Sequence, residues 1–198
     1  MNSILNEMGA IITTFEGTSG TLNQFDIDEI IKCVKDAKVY VETGSYLGLS
    51  SLIVAKHSDA MVYAHDIWVS DWSELVGSPP PEHKDYFFTF YKMVKDNGLQ
   101  SRIIPIRGDS KYTLGIHDDE SIDVCFVDGD HSYEGCLGDL EAAYPKMKKP
   151  SGIILVHDCN KSSETSKAAR EFIIKHQMSV DVVSRSCGMI KIYFPENE

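Results

Sequence analysis

Five short apolar runs, most of them closing on an acid, with helix-forming stretches between them, constrain this chain more than any other feature. VYVET (39–43) leads into Gly44. MVYAHD (61–66), RIIPIRGD (102–109), IDVCFVDGD (122–130) and GIILVHD (152–158) follow it. Between them, residues 49–57, 83–97, 133–148 and 162 or 163 to 176 read as helices, the second stopped at Gly98. Strands that are apolar on both faces and alternate with helices predict a parallel sheet covered on both sides. VDVVSR and GMIKIYF, separated by Ser186 and Cys187, predict a closing antiparallel hairpin. The expected fold class is therefore α/β: a doubly wound, mostly parallel, seven-stranded sheet with a C-terminal antiparallel hairpin and helices on both faces. A length of 198 residues allows this as one domain, 1–198.

Upstream of the rhythm, Ile4, Leu5, Met8, Ile11 and Ile12 follow helical spacing. They predict an amphipathic N-terminal helix, followed by a loop at Gly17 to Gly20, within residues 1–25. Asp26 with Glu29 resembles a capping box opening a helix through about Lys35.

Charge narrows the class of partner. Nineteen Lys and Arg stand against 30 Asp and Glu, a net charge of -11. Such a surface repels phosphate backbones, so nucleic acid is not an expected partner. No apolar run approaches the roughly 18–20 residues of a membrane helix. The start, MNSILNEMGA, lacks the basic and apolar regions of a signal peptide, so the chain is expected to begin near Met1 and stay in the cytoplasm. Five cysteines (Cys33, Cys125, Cys136, Cys159 and Cys187) form no C-x-x-C pair and read mostly as small buried residues.

In doubly wound sheets the ligand lies outside the carboxyl ends of the strands, where strand order reverses. The residues just past each strand are therefore the candidates. After the first comes Glu42-Thr43-Gly44-Ser45-Tyr46-Leu47-Gly48, a turn whose glycines let backbone approach a ligand. It is not a dinucleotide loop, because Tyr46 fills the place of the middle glycine. After the second comes Asp66, about twenty residues past the glycine loop, where a carboxylate accepts from ribose hydroxyls or stands as a solvated strand-end acid. After the third comes Gly108-Asp109-Ser110, a helix cap or an acceptor and hydroxyl for an adenine edge. After the fourth and fifth come Asp128-Gly129-Asp130-His131 and His157-Asp158-Cys159-Asn160. Asp128, Asp158 and Asn160 offer oxygens to one hard divalent cation such as Mg2+. His131, at the same rim, has a pKa suited to taking a hydroxyl proton. From Tyr112 to Tyr144 there are nine acids and no Lys or Arg, a field that suits a divalent cation or a sulfonium.

These residues resemble a class I S-adenosylmethionine-dependent methyltransferase. The nearest likeness is the small bacterial O-methyltransferase family with E-x-G-x-x-x-G (Glu42, Gly44, Gly48) and D-x-D-H-x-Y (Asp128, Asp130, His131, Tyr133), over about Val39 to Val156. The resemblance implies a Rossmann-like fold and S-adenosyl-L-methionine as cofactor. It implies that Glu42 and Gly44, with Ser45, Tyr46 and Gly48, hold the methionine end. Asp66 would hold the ribose, Asp109 and Ser110 would border the adenine with Ile67 or Trp68 against its face, and Asp128 would close the site. The pattern is also similar to metal-dependent catechol-type enzymes, in which an Asp after strand four and an Asp–Asn pair after strand five bind magnesium. Here His131 replaces the lysine base of that family, and Cys159 separates Asp158 from Asn160.

The expected function is methylation of a hydroxyl on a small acceptor, such as a sugar, a phenol or a natural-product intermediate. His131 would be the general base and a divalent metal would assist. A nucleotide-cofactor (NAD-type) oxidoreductase and a non-catalytic cofactor-binding module are the alternatives. The connection 67–92, rich in aromatics (Trp68, Trp72, Tyr86, Phe87, Phe88, Phe90, Tyr91), is the expected acceptor-side lid, although Phe87, Phe90 and Tyr91 fit packing on the sheet equally well. Small enzymes of this kind often form homodimers.

Overall fold

The structure, a computed structural model, describes residues 2–5, 11–16, 18–68, 86–184 and 188–195. Seven strands form one sheet. In chain order they are β4 (Val39–Thr43), β5 (Met61–Asp66), β6 (Ile103–Arg107), β7 (Val124–Val127), β8 (Ile153–Val156), β9 (Ser179–Ser184) and β10 (Met189–Tyr193). Their spatial order is β6-β5-β4-β7-β8-β10-β9. β4 to β8 pair in parallel, and β10 inserts antiparallel between β8 and β9. The chain runs outward from β4 to β6, then crosses back to β7, so strand order reverses between β4 and β7.

Alternation along each strand builds two cores, as the pleat requires. Tyr40, Phe126 and Leu155 face one side, toward α1 (Gln24–Val34), α2 (Leu49–His57) and α3 (Tyr86–Asp96). Val41, Cys125, Val127, Ile154 and Val156 face the other, toward α5 (Tyr133–Ala143) and α6 (Glu164–His176). A short helix, α4 (Ser110–Thr113), follows β6. Among the described residues no helix is long and apolar enough to cross a membrane.

The N-terminus departs from expectation. Instead of an amphipathic helix, β1 (Asn2–Leu5), β2 (Ile11–Phe15) and β3 (Thr18–Gly20) form an antiparallel sheet. Ile11, Ile12, Thr13 and Thr14 are four β-branched residues in a row, stiff at χ1 and suited to a strand. The apolar spacing is shared between two strands rather than wound into one helix; Met8 and Gly17 lie outside the described residues. Thr18 to Gly20, expected as loop, is β3, and its Thr18 hydroxyl donates to the Leu47 carbonyl at 2.6 Å. The capping box of α1 is also shifted. Asn23 is the cap, accepting from the Phe25 and Asp26 N–H groups, and the Asp26 carboxylate accepts from the Asn23 N–H at 3.1 Å. Glu29 pairs instead with Lys191 of β10 at 2.9 Å.

Of the expected lid, 69–85 lies outside the described residues. The rest divides: Phe90, Met93 and Val94 of α3 are buried against the sheet, while Phe88 and Tyr91 face outward.

Candidate active site

The carboxyl ends of β4 to β8 converge on one rim, and the turn from β4 to α2 forms its centre. Gly44 has φ +80°, and a Cβ there would meet the Asp128 carbonyl oxygen at 2.1 Å. Only glycine lets the ends of β4 and β7 close on each other. Gly48, the N-cap of α2, also has positive φ, and a Cβ there would strike Met93 and Phe90. Glu42 lies wholly buried beneath this turn. It accepts from the Ser51 hydroxyl and from Tyr40 Oη at 3.0 Å. Burial raises its pKa against the pull of the Ser51, Ser50, Ser45 and Tyr40 hydroxyls. Glu42 therefore braces the turn from below, while the Ser45–Tyr46 backbone faces the rim.

Asp66, at the end of β5, holds the next segment. Its oxygens accept from the Tyr46 N–H at 2.8 Å and from the Trp68 N–H at 2.6 Å. Desolvation raises its pKa, opposed by these backbone donors. Ile67 is 49% exposed and presents an open apolar face. Trp68 is buried; its indole N–H donates to the Tyr46 carbonyl at 2.9 Å and its ring packs on Phe87 and Phe90. Of the two residues expected against an adenine, Ile67 is the one at the surface. After β6, Asp109 caps α4 through the Lys111 N–H, and the Ser110 hydroxyl donates to Asp139 at 2.6 Å.

The ends of β7 and β8 bring ionisable groups together. His131 Nε2 lies 3.6 Å from Asp128 Oδ1 and 3.4 Å from Asp158 Oδ2. Its side chain is 47% exposed, so the ring stands at the mouth of the site. The neighbouring Asp128 carboxylate raises the pKa of His131, against partial desolvation. Burial pushes the Asp128 pKa up, but the adjacent His157 and His131 outweigh it and hold it low. The Asn160 carboxamide oxygen lies beside Gly188, where a Cβ would meet it at 2.8 Å. His157 joins the two acids. Among the described residues, Asp128, His157 and Asp158 each offer a metal-ligating atom within 4.8 Å of the others. Burial lowers the pKa of His157, but Asp128, Asp158 and Asp26 more than reverse this and drive it far upward.

Two residues here escaped the sequence reading. His157 was visible only as the penultimate residue of an apolar run, and a strand-end histidine has no pattern of its own. Asp139 was one acid among nine, and only the fold places it under the site. Its carboxylate faces the buried Thr43 hydroxyl, beside Gly129.

A reversal of strand order, a glycine turn and a strand-end acid after β5 mark the ligand rim of a doubly wound α/β fold. Residues 41–159 match the family model described as a methyltransferase domain, and the chain belongs to that family. It is a class I S-adenosylmethionine-dependent methyltransferase. Similar solved structures include a proposed O-methyltransferase from Klebsiella pneumoniae, 13% identical, with TM-score 0.65 over 87% of this chain and 81% of that one. A proposed caffeoyl-CoA O-methyltransferase from Staphylococcus aureus is 13% identical, with TM-score 0.67 over 87% and 84%. A Podospora anserina methyltransferase with SAH bound is 16% identical, with TM-score 0.64 over 88% and 80%. These structures share the fold. No curated protein matches the sequence. The family places the chain apart from NAD-type oxidoreductases.

Proposed function

We propose that this enzyme methylates a hydroxyl of a small acceptor, with His131 as the general base. The observation that carries the reading is the half-exposed His131 ring, held at the rim by two strand-end carboxylates. S-adenosylmethionine supplies a methyl group already activated on a sulfonium. The protein therefore has to hold both partners in line and take one proton. The turn at Gly44–Tyr46 receives the methionine end, with Glu42 bracing it. Asp66 accepts from the ribose hydroxyls. Ile67, Asp109 and Ser110 border the adenine. Asp128 sits between this cofactor site and His131, which accepts the acceptor's proton as its oxygen bonds to the methyl carbon and the sulfur–carbon bond breaks.

Asp128 and Asp158 would hold a divalent cation, and the chemistry it supplies there is acidification of the acceptor hydroxyl. The acidic field around the rim favours an uncharged or cationic acceptor, such as a sugar, a phenol or a natural-product intermediate.

Calorimetric titration with S-adenosylhomocysteine, with and without magnesium and with NADH as control, tests the cofactor assignment. Binding of the homocysteine product alone is expected. The base is tested by His131→Ala, which is expected to lower turnover roughly 10²–10⁴-fold while cofactor affinity stays within a few-fold. Unchanged turnover on a working acceptor would remove the base role.

A further inference from the structure

We infer that Asp128, His157 and Asp158 form a mixed nitrogen–oxygen site for a divalent first-row transition ion, such as Mn2+, Co2+ or Zn2+, and that Asp26 of α1 orients its histidine. The inference rests on the methyltransferase reading and goes beyond it in the ligand set and the class of ion. The expected magnesium site was built from oxygens, with Asn160 as its third donor. The fold places an imidazole nitrogen, that of His157, among the same acids. Magnesium takes oxygen donors and keeps much of its water, whereas imidazole suits transition ions.

Three observations support the assignment. The first is burial between two carboxylates. The His157 side chain is 1% exposed, and its Nδ1 lacks a well-aligned hydrogen bond although Asp128 and Asp158 flank it. This nitrogen stands between both.

The second is spacing. Donors bound at about 2.1 Å to one ion stand about 3.0 Å apart at octahedral angles and about 3.4 Å apart at tetrahedral ones. Nδ1 stands 3.2 Å from Asp128 Oδ1 and 3.5 Å from Asp158 Oδ2. The ion takes the place of the Nδ1 proton.

The third lies behind the ring. His157 Nε2 is 3.4 Å from Asp26 Oδ2, and Asp26 is fully buried. A metal-bound histidine commonly donates its other N–H to a carboxylate, which fixes ring and tautomer. Asp26 is itself fixed by the capping box of α1, so a helix start sets the aim of a ligand 131 residues away.

The test uses the full chain, stripped of metal with a chelator and then dialysed against Mn2+ or Mg2+ at equal ionic strength. Bound metal is counted by plasma mass spectrometry. One Mn2+ per chain is expected, held at least about tenfold more tightly than Mg2+. Electron spin-echo modulation of the Mn2+-loaded wild type is expected to show a directly bound nitrogen, a readout that needs no variant and no substrate. His157→Gln is expected to erase the preference for Mn2+, and Asp26→Asn to weaken Mn2+ binding roughly 10–100-fold. Asn160→Ala is expected to change neither, and a thermal melt of each variant verifies its fold. A bound ion with no nitrogen coupling, or Mn2+ binding lost in Asn160→Ala, overturns the inference in favour of an oxygen site. No bound ion in a preparation that still binds S-adenosylhomocysteine also overturns it, and leaves the methyltransferase reading standing. Failure to bind S-adenosylhomocysteine would strike that reading itself, whatever the metal count.

Discussion

Asp66 spends both oxygens on backbone, one on Tyr46 and one on Trp68, before any ligand arrives. Each carboxylate oxygen has a second lone pair, and those remain for ribose hydroxyls. Asp66→Ala therefore removes two kinds of contact at once, the ligand's and those that shape the turn. Hydrogen bonds to a charged group contribute about 1.5–3 kcal/mol, so affinity for S-adenosylhomocysteine should fall roughly 10–100-fold by calorimetry. Asp66→Asn, which keeps one acceptor, should fall in between. An unchanged dissociation constant in both variants would end the ribose assignment. The strand-end positions of Asp66 and His131 were legible in the sequence because an apolar run that closes on polar residues announces them locally. Asp26 was legible only as a helix-start acid, since its partner His157 lies 131 positions away and only the fold joins them.

At the scale of elements, the turn between β4 and α2 depends on Gly44. Alanine there must adopt φ +80° and drive its Cβ into the Asp128 carbonyl, which belongs to backbone and has little room to yield. A left-handed non-glycine residue costs about 1–2 kcal/mol before any clash. Gly44→Ala should therefore lose about 2 kcal/mol or more in denaturant unfolding, and a neutral result would show that β4 and β7 can separate freely. β5 and the segment after β6 carry a different sensitivity. His65 of β5 is fully buried, 2.8 Å from the Thr113 hydroxyl and 2.9 Å from His117 Nε2. Burial, then the neighbouring His117, pulls its pKa from 6.5 to about 3. Between those values the unfolded chain binds a proton on this ring that the folded chain refuses, so stability falls as pH drops below 6.5. From pH 6 to 5 the loss from this one group should be about 1 kcal/mol, and His65→Gln should flatten that part of the stability profile. If wild type and variant lose stability in parallel, the ring is not held neutral. Elements that are compact apolar runs bounded by glycine or polar residues, such as β4, β5 and α2, were legible to the residue. The N-terminal sheet was not, because two short strands can mimic the spacing of one helix.

On the scale of the whole molecule, the site has no element of its own. Its parts stand on the ends of β4, β5, β6, β7 and β8, five adjacent parallel strands whose order came from the fold, since a run of apolar residues says that a strand exists and not where it lies. Such a site exists only while the sheet is intact. A ligand that fits it therefore binds the folded chain and not the unfolded one, and must raise the stability of the entire domain. At a free concentration one hundred times its dissociation constant the gain is about 2.7 kcal/mol. In a chain of this size each kcal/mol moves the melting temperature by about 2–4 °C, so S-adenosylhomocysteine should raise it by roughly 5–10 °C in a calorimetric scan. NADH at the same concentration should not move it. Asp66→Ala should need proportionally more ligand to reach the same shift, because the substitution weakens ligand binding and leaves the sheet in place. A ligand that binds at this excess and yet leaves the melting temperature unchanged would have to sit on a part that unfolds separately, and no site spread across five strand ends permits that.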